Sequence, residues 1–193
     1  MARTREFDPD QALQTAISVF WEKGYFDATV DEVVRRSGVA KYGIYGTFGT
    51  KDELFKKALE QYAMDRKAGM QSVLLQKGAA LPEIRRFFRD AAKVITPEGR
   101  RLGCLLCNTA MEVGSENTEF QVIVREFFAD MARTFRRCLK NAVSMGQLDQ
   151  SRDTAQIAAY LATEVRTILM LSRSGESRRA IQEHVKVVLS VLD

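Results

Sequence analysis

The sequence predicts an all-α protein, and three observations support that fold class. Only three prolines interrupt 193 residues. Apolar residues recur at the three- and four-residue spacing of amphipathic helices, and alternating β-branched stretches are scarce. Because 46% of the residues are hydrophobic, the chain can bury a core and need not be disordered. We predict about nine helices: an N-terminal three-helix helix-turn-helix domain over residues 1–50 and a helical domain over 51–193, rigidly joined by helix 4.

Helix 1 is predicted to begin at Asp8-Pro9, because aspartate is a good N-cap and proline suits the first turn. Gly24 is expected to end this helix as a left-handed cap. One face is apolar over two turns: Leu13, Ala16, Ile17 and Phe20.

Helix 2 is predicted to start at a capping box, Thr29-x-x-Glu32, and to stop at Gly38. A second capping box, Thr50-x-x-Glu53, starts helix 4. Between them lie a Gly-Val-Ala turn and residues 41–48. Two short helices joined by a tight turn with glycine, after a packing helix, are typical of a helix-turn-helix. The predicted core side of helix 4 comprises Leu54, Phe55, Leu59 and Tyr62.

The rest of the chain is also predicted to be helical. Pro82 marks a helix start, Gly114 and Gly146 mark helix ends, and Ser177 caps the last helix, which runs to Leu192. The predicted helices between these marks are 102–114, 117–145 and 154–172, with a loop at 96–101.

The segment KYGIYGTF, residues 41–48, carries two glycines that each cost a helix about 1 kcal/mol relative to alanine. On a helical wheel Ile44 and Phe48 point the same way and are the expected core contacts. The opposite side carries Tyr42, Gly43, Gly46 and Thr47. Absent side chains on an outward face let the backbone approach another surface closely. The alternative is that these glycines mark a loop or an αα corner.

Net charge is +4, which says little about partners. Residues 35–57, however, contain six lysines and arginines against two acidic residues. Arg3 and Arg5 are expected to add to this charge from a flexible arm. A basic helix-turn-helix is typical of DNA binding, although a solvated helical surface gives the same count.

In a helix-turn-helix the second helix enters the DNA major groove. Tyr42 is then placed to reach a base edge, the hydroxyls of Tyr45 and Thr47 to bind phosphates, and Lys51 with the helix N-terminus behind Thr50 to bind another phosphate. The candidate DNA-binding residues are Thr29, Lys41, Tyr42, Gly43, Tyr45, Gly46, Thr47 and Lys51.

The stretch TVDEVVRRSGVAKYGIYGTFGTKDELFKKAL, residues 29–59, closely resembles the helix-turn-helix of TetR-type (TetR/AcrR) transcriptional regulators. The resemblance covers about residues 8–60 and includes the Gly-Val turn, the Ile-Tyr pair, Phe48 and Lys-Asp-Glu-Leu at 51–54. Two positions depart from the family pattern. Ala40 stands where serine often caps the recognition helix, which removes a cap worth about 1 kcal/mol. Gly46 replaces a large side chain that commonly touches DNA, so base reading shifts to Tyr42, Lys41 and the backbone.

The resemblance implies that the second domain binds an unknown small-molecule effector and forms a homodimer. The expected effector pocket comprises Phe87, Phe88, Cys104, Cys107, Asn108, Met111, Phe127, Phe128 and Met131, most of which are equally suited to a plain core. The expected dimer interface comprises Ile157, Leu161, Val165, Ile168, Leu169, Ile181, Val185, Val188, Leu189 and Leu192, although these faces are also able to pack within one subunit.

Cys104 and Cys107 lie in RRLGCLLCNTAMEVG, which resembles a "GCL" helix in one branch of the family. Their spacing puts both thiols on one helix face. A helix start, with Arg100 and Arg101 nearby, lowers thiol pKa and favours a redox or electrophile sensor. Two small buried hydrophobes are the alternative.

Composition bears on other function classes. Three cysteines give no disulfide framework and suggest a reducing compartment. With one histidine, no metal site or cofactor is expected, and no Walker-type loop or nucleophile elbow is present, so no catalytic residue and no enzyme is predicted. No apolar run reaches about 18 residues and MARTREFDPD has no signal core, so we expect a cytoplasmic protein without a membrane partner. The expected function is a dimeric repressor that binds a palindromic double-stranded DNA operator and is released by its effector; a helical adaptor that docks protein is the other candidate.

Overall fold

The computed structural model describes residues 7–94, 102–114 and 118–193, and these residues are helical, as predicted. The predicted loop at 96–101 lies outside the described residues. The helices are α1 (Pro9–Asp27), α2 (Val30–Ser37), α3 (Lys41–Phe48), α4 (Lys51–Gly69), α5 (Ser72–Leu75), α6 (Leu81–Val94), α7 (Leu105–Val113), α8 (Thr118–Ser144), α9 (Thr154–Ser174) and α10 (Arg178–Leu189), followed by a 3₁₀ turn at Ser190–Leu192.

The predicted N-caps of α1, α2 and α4 and the predicted glycine at the end of α2 are present. Asp8 accepts a hydrogen bond from the backbone of Asp10 at 2.9 Å, and Thr29 caps α2. Gly38 ends α2 in the left-handed conformation, with φ of 70°. The capping box before α4 is reciprocal: the backbone N–H of Thr50 donates to Glu53 Oε2 at 2.7 Å, and the N–H of Glu53 donates to Thr50 Oγ1 at 3.3 Å.

Three elements differ from the prediction. Gly24 interrupts α1, but its φ of 82° and ψ of 177° are not the expected left-handed cap, and helical backbone continues to Asp27. The short α5 was not predicted, because four residues are too few to show a helical period. The last α-helix ends at Leu189, and the 3₁₀ turn carries the chain on to Leu192.

The chain forms two compact units, and their boundary differs from the predicted division at residue 50. Unit 1 contains residues up to 64 together with 104–124. Its core joins helices from both segments, because the ring of Phe55 lies 4.7 Å from that of Phe20 and 4.8 Å from that of Phe120. The start of α8 therefore belongs with the N-terminal helices.

Unit 2 contains residues 65–103 and 125–193. Its core includes an aromatic cluster in which the ring of Phe135 lies 5.4 Å from Phe87 and 5.7 Å from Phe88. Helix α10 packs against α6 and α9. The described helices include none with the length and apolarity to cross a membrane. The described residues also contain no group of three or more His, Cys, Asp or Glu able to hold a metal ion.

Candidate nucleic-acid interface

Helix α3 presents two different faces. Ile44 is fully buried and Phe48 is 5% exposed, as the helical wheel predicted. On the other side Tyr42 is 67% exposed and Tyr45 is 44% exposed. A Cβ atom built at Gly46 would meet no heavy atom within 4 Å. The outer face of α3 is therefore open around Gly46 and flanked by two tyrosines.

Gly43 does not share this environment, which corrects the expectation that both glycines face outward. It is half-buried, and a Cβ atom built on it would lie 3.1 Å from Phe7 Cε1 and 3.2 Å from Val39 Cγ1. The physical reason is that the segment before α1 packs onto α3. At Gly43 the missing side chain makes room for Phe7.

The two predicted lysines of the interface each have an internal partner. Lys41 Nζ lies 2.8 Å from Asp31 Oδ1, and this hydrogen bond raises the pKa of the Lys41 ammonium. Lys51 Nζ donates to the carbonyl of Phe26 at 3.1 Å and lies 4.8 Å from the ring centre of Tyr25. An ammonium has three donors, so each lysine keeps N–H groups for a phosphate.

Two further candidates also have structural partners. The Oγ1 of Thr29 accepts the N–H of Glu32 at 3.2 Å, so its hydroxyl proton remains for an acceptor. Thr47 is half-buried, and its carbonyl accepts a hydrogen bond from Lys57 Nζ at 3.3 Å. Ala40 precedes α3 without a side-chain cap, as predicted.

The basic excess of residues 35–57 is partly neutralised by acids that precede this window. Arg36 lies 2.8 Å from Glu22 and 2.7 Å from Glu32, and Arg35 also binds Glu32. Hydrogen bonds from Arg35 and Arg36 lower the pKa of Glu32 to about 2. The local charge count therefore overstates the positive charge that α2 and α3 present.

Helix α7 is bonded to the end of α1. The two carboxylate oxygens of Glu112 accept the backbone N–H groups of Tyr25 at 3.0 Å and Phe26 at 2.8 Å. A Cβ atom at Gly24 would lie 2.5 Å from Glu112 Oε2. The glycine is thus needed both for its positive φ and for the approach of this carboxylate.

Tyr25 also connects the end of α1 to α4 and α8. Its hydroxyl donates to Asp52 at 2.6 Å, and its ring lies 5.0 Å from Phe55 and 5.3 Å from Phe120. Burial, followed by the bond to Asp52, raises the pKa of Tyr25 to about 12. The end of α1 after Gly24 is therefore held by α4, α7 and α8.

The thiols of Cys104 and Cys107 are buried at the start of α7, where Cys104 occupies the N-cap position. A hydrogen bond from the Cys107 thiol lowers the pKa of Cys104 to about 6; burial opposes this shift, and the Tyr62 hydroxyl adds to it. Arg100 and Arg101, expected to assist, lie outside the described residues.

The predicted effector-pocket residues are divided between the two units. Cys104, Cys107 and Asn108 belong to unit 1, whereas the five predicted Phe and Met residues of α6 and α8 are buried in unit 2. Met111 is 56% exposed and does not line an enclosed pocket, which corrects that assignment. The unit 2 residues concerned are Phe87, Phe88, Phe127, Phe128 and Met131.

The predicted dimer residues are packed within the subunit, which corrects their assignment to a surface between subunits. Leu169 is half-buried, and the other nine are buried by contacts inside one chain. Hydrophobic periodicity identifies a buried face but not which molecule covers it. The exposed sides of α9 and α10 carry other apolar residues, namely Tyr160, Met170 and Val187.

Sequence reasoning missed Phe7, Glu112 and Gln71. Phe7 contacts a residue 36 positions away along the chain, and Glu112 contacts one 87 positions away. Local sequence patterns do not predict such contacts. Gln71 is fully buried, and neither Nε2 nor Oε1 of its amide has a hydrogen-bond partner. A lone aromatic residue in the polar N-terminal stretch was the available indication for Phe7.

Two family models match this chain. Residues 12–58 match "Bacterial regulatory proteins, tetR family", and residues 80–188 match "Tetracyclin repressor-like, C-terminal domain". The second match alone covers more than half of the 193 residues.

Similar proteins span the full chain. The uncharacterized HTH-type transcriptional regulator YezE of Bacillus subtilis is 28% identical over 100% of both chains. The HTH-type transcriptional repressor ComR of Escherichia coli is 22% identical over 94% of this chain and 87% of its own. A solved structure of a cysteine mutant of the TetR family regulator CifR, complexed with 26-bp operator DNA, has a TM-score of 0.86 at 24% identity and covers 97% of this chain and 98% of that one.

Proposed function

This chain belongs to the TetR family of bacterial regulators, and from that membership we propose that it is a repressor that binds operator DNA through α3. It is a DNA-binding transcriptional regulator. The observation that carries the α3 assignment is the open outer face at Gly46, flanked by Tyr42 and Tyr45, above a buried Ile44. CifR, which has the same fold, is bound to operator DNA in its solved structure, and ComR is named a repressor.

The test is a titration of a labelled palindromic duplex, taken from the region upstream of the gene, by fluorescence anisotropy. Tyr42→Ala removes an exposed ring from the proposed DNA face and should weaken binding at least tenfold. Met111→Ala is the matched control, since Met111 is exposed in the same unit but on α7. Equal affinities for the two variants would refute the placement of the DNA face.

We also propose that two copies associate through the exposed sides of α9 and α10. Tyr160 is 37% exposed, Met170 49% and Val187 68%, so this surface of unit 2 retains apolar area for a partner helix pair. A palindromic operator presents half-sites about 34 Å apart per turn, which favours a twofold symmetric protein.

Val187→Arg should convert the dimer to a monomer in sedimentation experiments, because a buried unpaired charge opposes association. Val122→Arg is the control: it places the same charge at a 41% exposed valine on α8 of unit 1. A dimeric Val187→Arg variant would place the interface elsewhere.

The effector site belongs in unit 2 on this proposal, with Gln71 as a polar recognition group. The amide of Gln71 is buried, and neither its NH₂ group nor its oxygen has a hydrogen-bond partner, which costs free energy. A ligand with complementary polar atoms would offset that cost. A small molecule bound there would change the separation of the two recognition helices and so release the operator.

A second route to release is oxidation of the thiol pair, favoured by the lowered pKa of Cys104. In this step the Cys104 thiolate attacks a peroxide oxygen, forms a sulfenic acid and expels hydroxide. The Cys107 thiol then attacks the sulfenic sulfur, forming the disulfide and releasing water. The peroxide is the oxidant and is reduced to water.

A further inference from the structure

The ammonium group of Lys41 is held by a carboxylate from the preceding helix. Lys41 is the first residue of α3, and its Nζ lies 2.8 Å from Oδ1 of Asp31, which belongs to the first turn of α2. Both side chains are exposed, so the pair lies at the protein surface. Thr29 caps α2 by accepting the N–H of Glu32, which fixes the backbone of the turn that carries Asp31. An ion pair therefore joins α2 to the start of the recognition helix.

The second lysine of the proposed interface is held differently. Nζ of Lys51 donates to the carbonyl of Phe26 at 3.1 Å and lies 4.8 Å from the ring centre of Tyr25, and both of these partners are uncharged. A neutral partner leaves the positive charge of an ammonium in place, whereas a carboxylate at 2.8 Å opposes it. Lys51 therefore attracts a phosphate more strongly than Lys41 does.

The position of Lys41 suits a contact with bases. The N-terminal residues of a recognition helix contact base edges in the major groove, where a lysine ammonium donates to O6 and N7 of guanine. The contact with Asp31 uses one of the three donors of Lys41 and restrains a flexible side chain, so two donors remain for a base. Moving the ammonium to a phosphate breaks that contact and leaves the Asp31 carboxylate without its counter-charge. Asp31 therefore favours a base contact over a phosphate contact.

We propose that Asp31 is a specificity-determining residue, which positions the Lys41 ammonium for base edges of the operator and withholds it from the phosphates of other DNA. This inference rests on the proposed function and assigns different tasks to its two lysines: Lys41 reads bases, and Lys51 binds a phosphate. Asp31 acts through Lys41 as a positioning residue. Because phosphates carry no sequence information, limiting phosphate contacts raises the ratio of operator to non-operator affinity.

The first experiment measures the affinity of Asp31→Asn for the operator and for an unrelated duplex of the same length, each against salt concentration. The substitution removes the negative charge at nearly constant size, so Lys41 becomes free to bind a phosphate. On the unrelated duplex the slope of log affinity against log salt should steepen by about 0.9 for each subunit bound. The ratio of operator to non-operator affinity should fall by about fivefold per subunit, the most that an exposed ion pair shifts an equilibrium.

Asp90→Asn is the matched control, because it makes the same substitution in another exposed ion pair. Oδ1 of Asp90 lies 3.1 Å from Nζ of Lys93 on α6, which is outside the proposed DNA-binding face. Both salt slopes and the affinity ratio should remain those of the wild type. Thermal unfolding of each variant checks that it is folded.

The second experiment separates the two lysines. Lys41→Ala should weaken operator binding by about fivefold or more and leave the salt slope on the unrelated duplex unchanged. Lys51→Ala should reduce the slope by about 0.9 per subunit on both duplexes. In the Lys41→Ala background, Asp31→Asn should no longer steepen the slope on the unrelated duplex, because its effect passes through the ammonium.

The role of Asp31 is refuted if Asp31→Asn leaves the slope and the affinity ratio unchanged while Tyr42→Ala still weakens operator binding. It is also refuted if Asp31→Asn has the same effect with and without Lys41, since the carboxylate would then act on DNA by its own charge. Failure of the wild-type chain to bind any duplex would instead overturn the proposed function, so the two failures are distinguishable.

Discussion

Gln71 is the residue whose burial is hardest to explain by folding alone. Its side-chain amide is fully buried without hydrogen bonds, whereas the buried Thr109 hydroxyl donates to the carbonyl of Leu105 at 2.8 Å. Leaving a buried polar group unpaired costs about 1–3 kcal/mol. A protein that keeps such a group in its interior is expected to use it.

We therefore expect Gln71→Leu to raise the free energy of unfolding by about 1 kcal/mol or more, since it removes the unpaired amide at similar volume. Urea denaturation followed by circular dichroism measures this change. Thr109→Val is the control and should destabilise, because it removes a satisfied hydroxyl. A Gln71→Leu variant destabilised as strongly as Thr109→Val would indicate that the amide is satisfied in solution.

Cys104 and Cys138 differ in a way that a pH titration separates. Hydrogen bonding from Cys107 lowers the pKa of Cys104 to about 6, whereas burial raises the pKa of Cys138 above its ordinary value. Because the thiolate is the nucleophile, the rate at which Cys104 reacts with methyl methanethiosulfonate should rise as pH increases through about 6. The rate for Cys138 should rise only at a higher pH than that of an ordinary thiol, because burial raises its pKa.

Mass spectrometry of peptides from protein labelled at each pH gives both rates in one sample. Cys107→Ser should move the midpoint for Cys104, since it replaces the thiol donor. Equal pH profiles for Cys104 and Cys138 would contradict the thiol arrangement and with it the oxidation route.

At the scale of elements, the starts of α1, α2 and α4 and the end of α2 were predictable because each depends on residues within one turn. Asp8, Thr29, Gly38 and the Thr50–Glu53 pair act locally, so their spacing is sufficient. The conformation of Gly24 was not predictable in the same way. It depends on the carboxylate of Glu112 on α7, which lies 88 residues later in the chain.

Glu112→Gln tests that contact. The amide retains one acceptor, and its NH₂ group opposes the second backbone N–H, so at least one charge-assisted bond is lost. We expect the free energy of unfolding to fall by about 2 kcal/mol. Glu119→Gln removes a 67% exposed partner of Lys56 in the same unit and should change it by less than about 0.5 kcal/mol. Equal effects, read from urea denaturation, would mean that the Glu112 contact is no stronger than an exposed pair.

At the scale of the whole molecule, the sequence predicts which residues are buried better than it predicts which segments cover them. The apolar faces of α9 and α10 were found correctly, but they pack within the subunit, and the exposed apolar residues fall outside that periodic pattern. Similarly, the aromatic residues of α6 and α8 were predicted to line an effector pocket or a plain core, and they are buried, whereas Gln71 was not selected. Apolar residues at helical spacing identify the buried positions, but they do not identify which distant segments pack together.

The proposed function depends on the outer face of α3 lying against a duplex. Gly46 and Gly69 are both exposed helical glycines with nothing within 4 Å of a built Cβ, the first on α3 and the second at the end of α4. The same substitution at both positions thus leaves the fold equally undisturbed. In the proposed complex a carboxylate at position 46 faces the DNA phosphates, whereas position 69, at the end of α4, lies outside the proposed DNA-binding face.

The most direct measurement is therefore the operator affinity of Gly46→Glu against Gly69→Glu at fixed salt, with thermal unfolding of each variant as a check on folding. We predict that both remain folded, that Gly69→Glu binds like the wild type, and that Gly46→Glu binds at least a hundredfold more weakly. Wild-type affinity in a folded Gly46→Glu variant would contradict the placement of α3 against DNA.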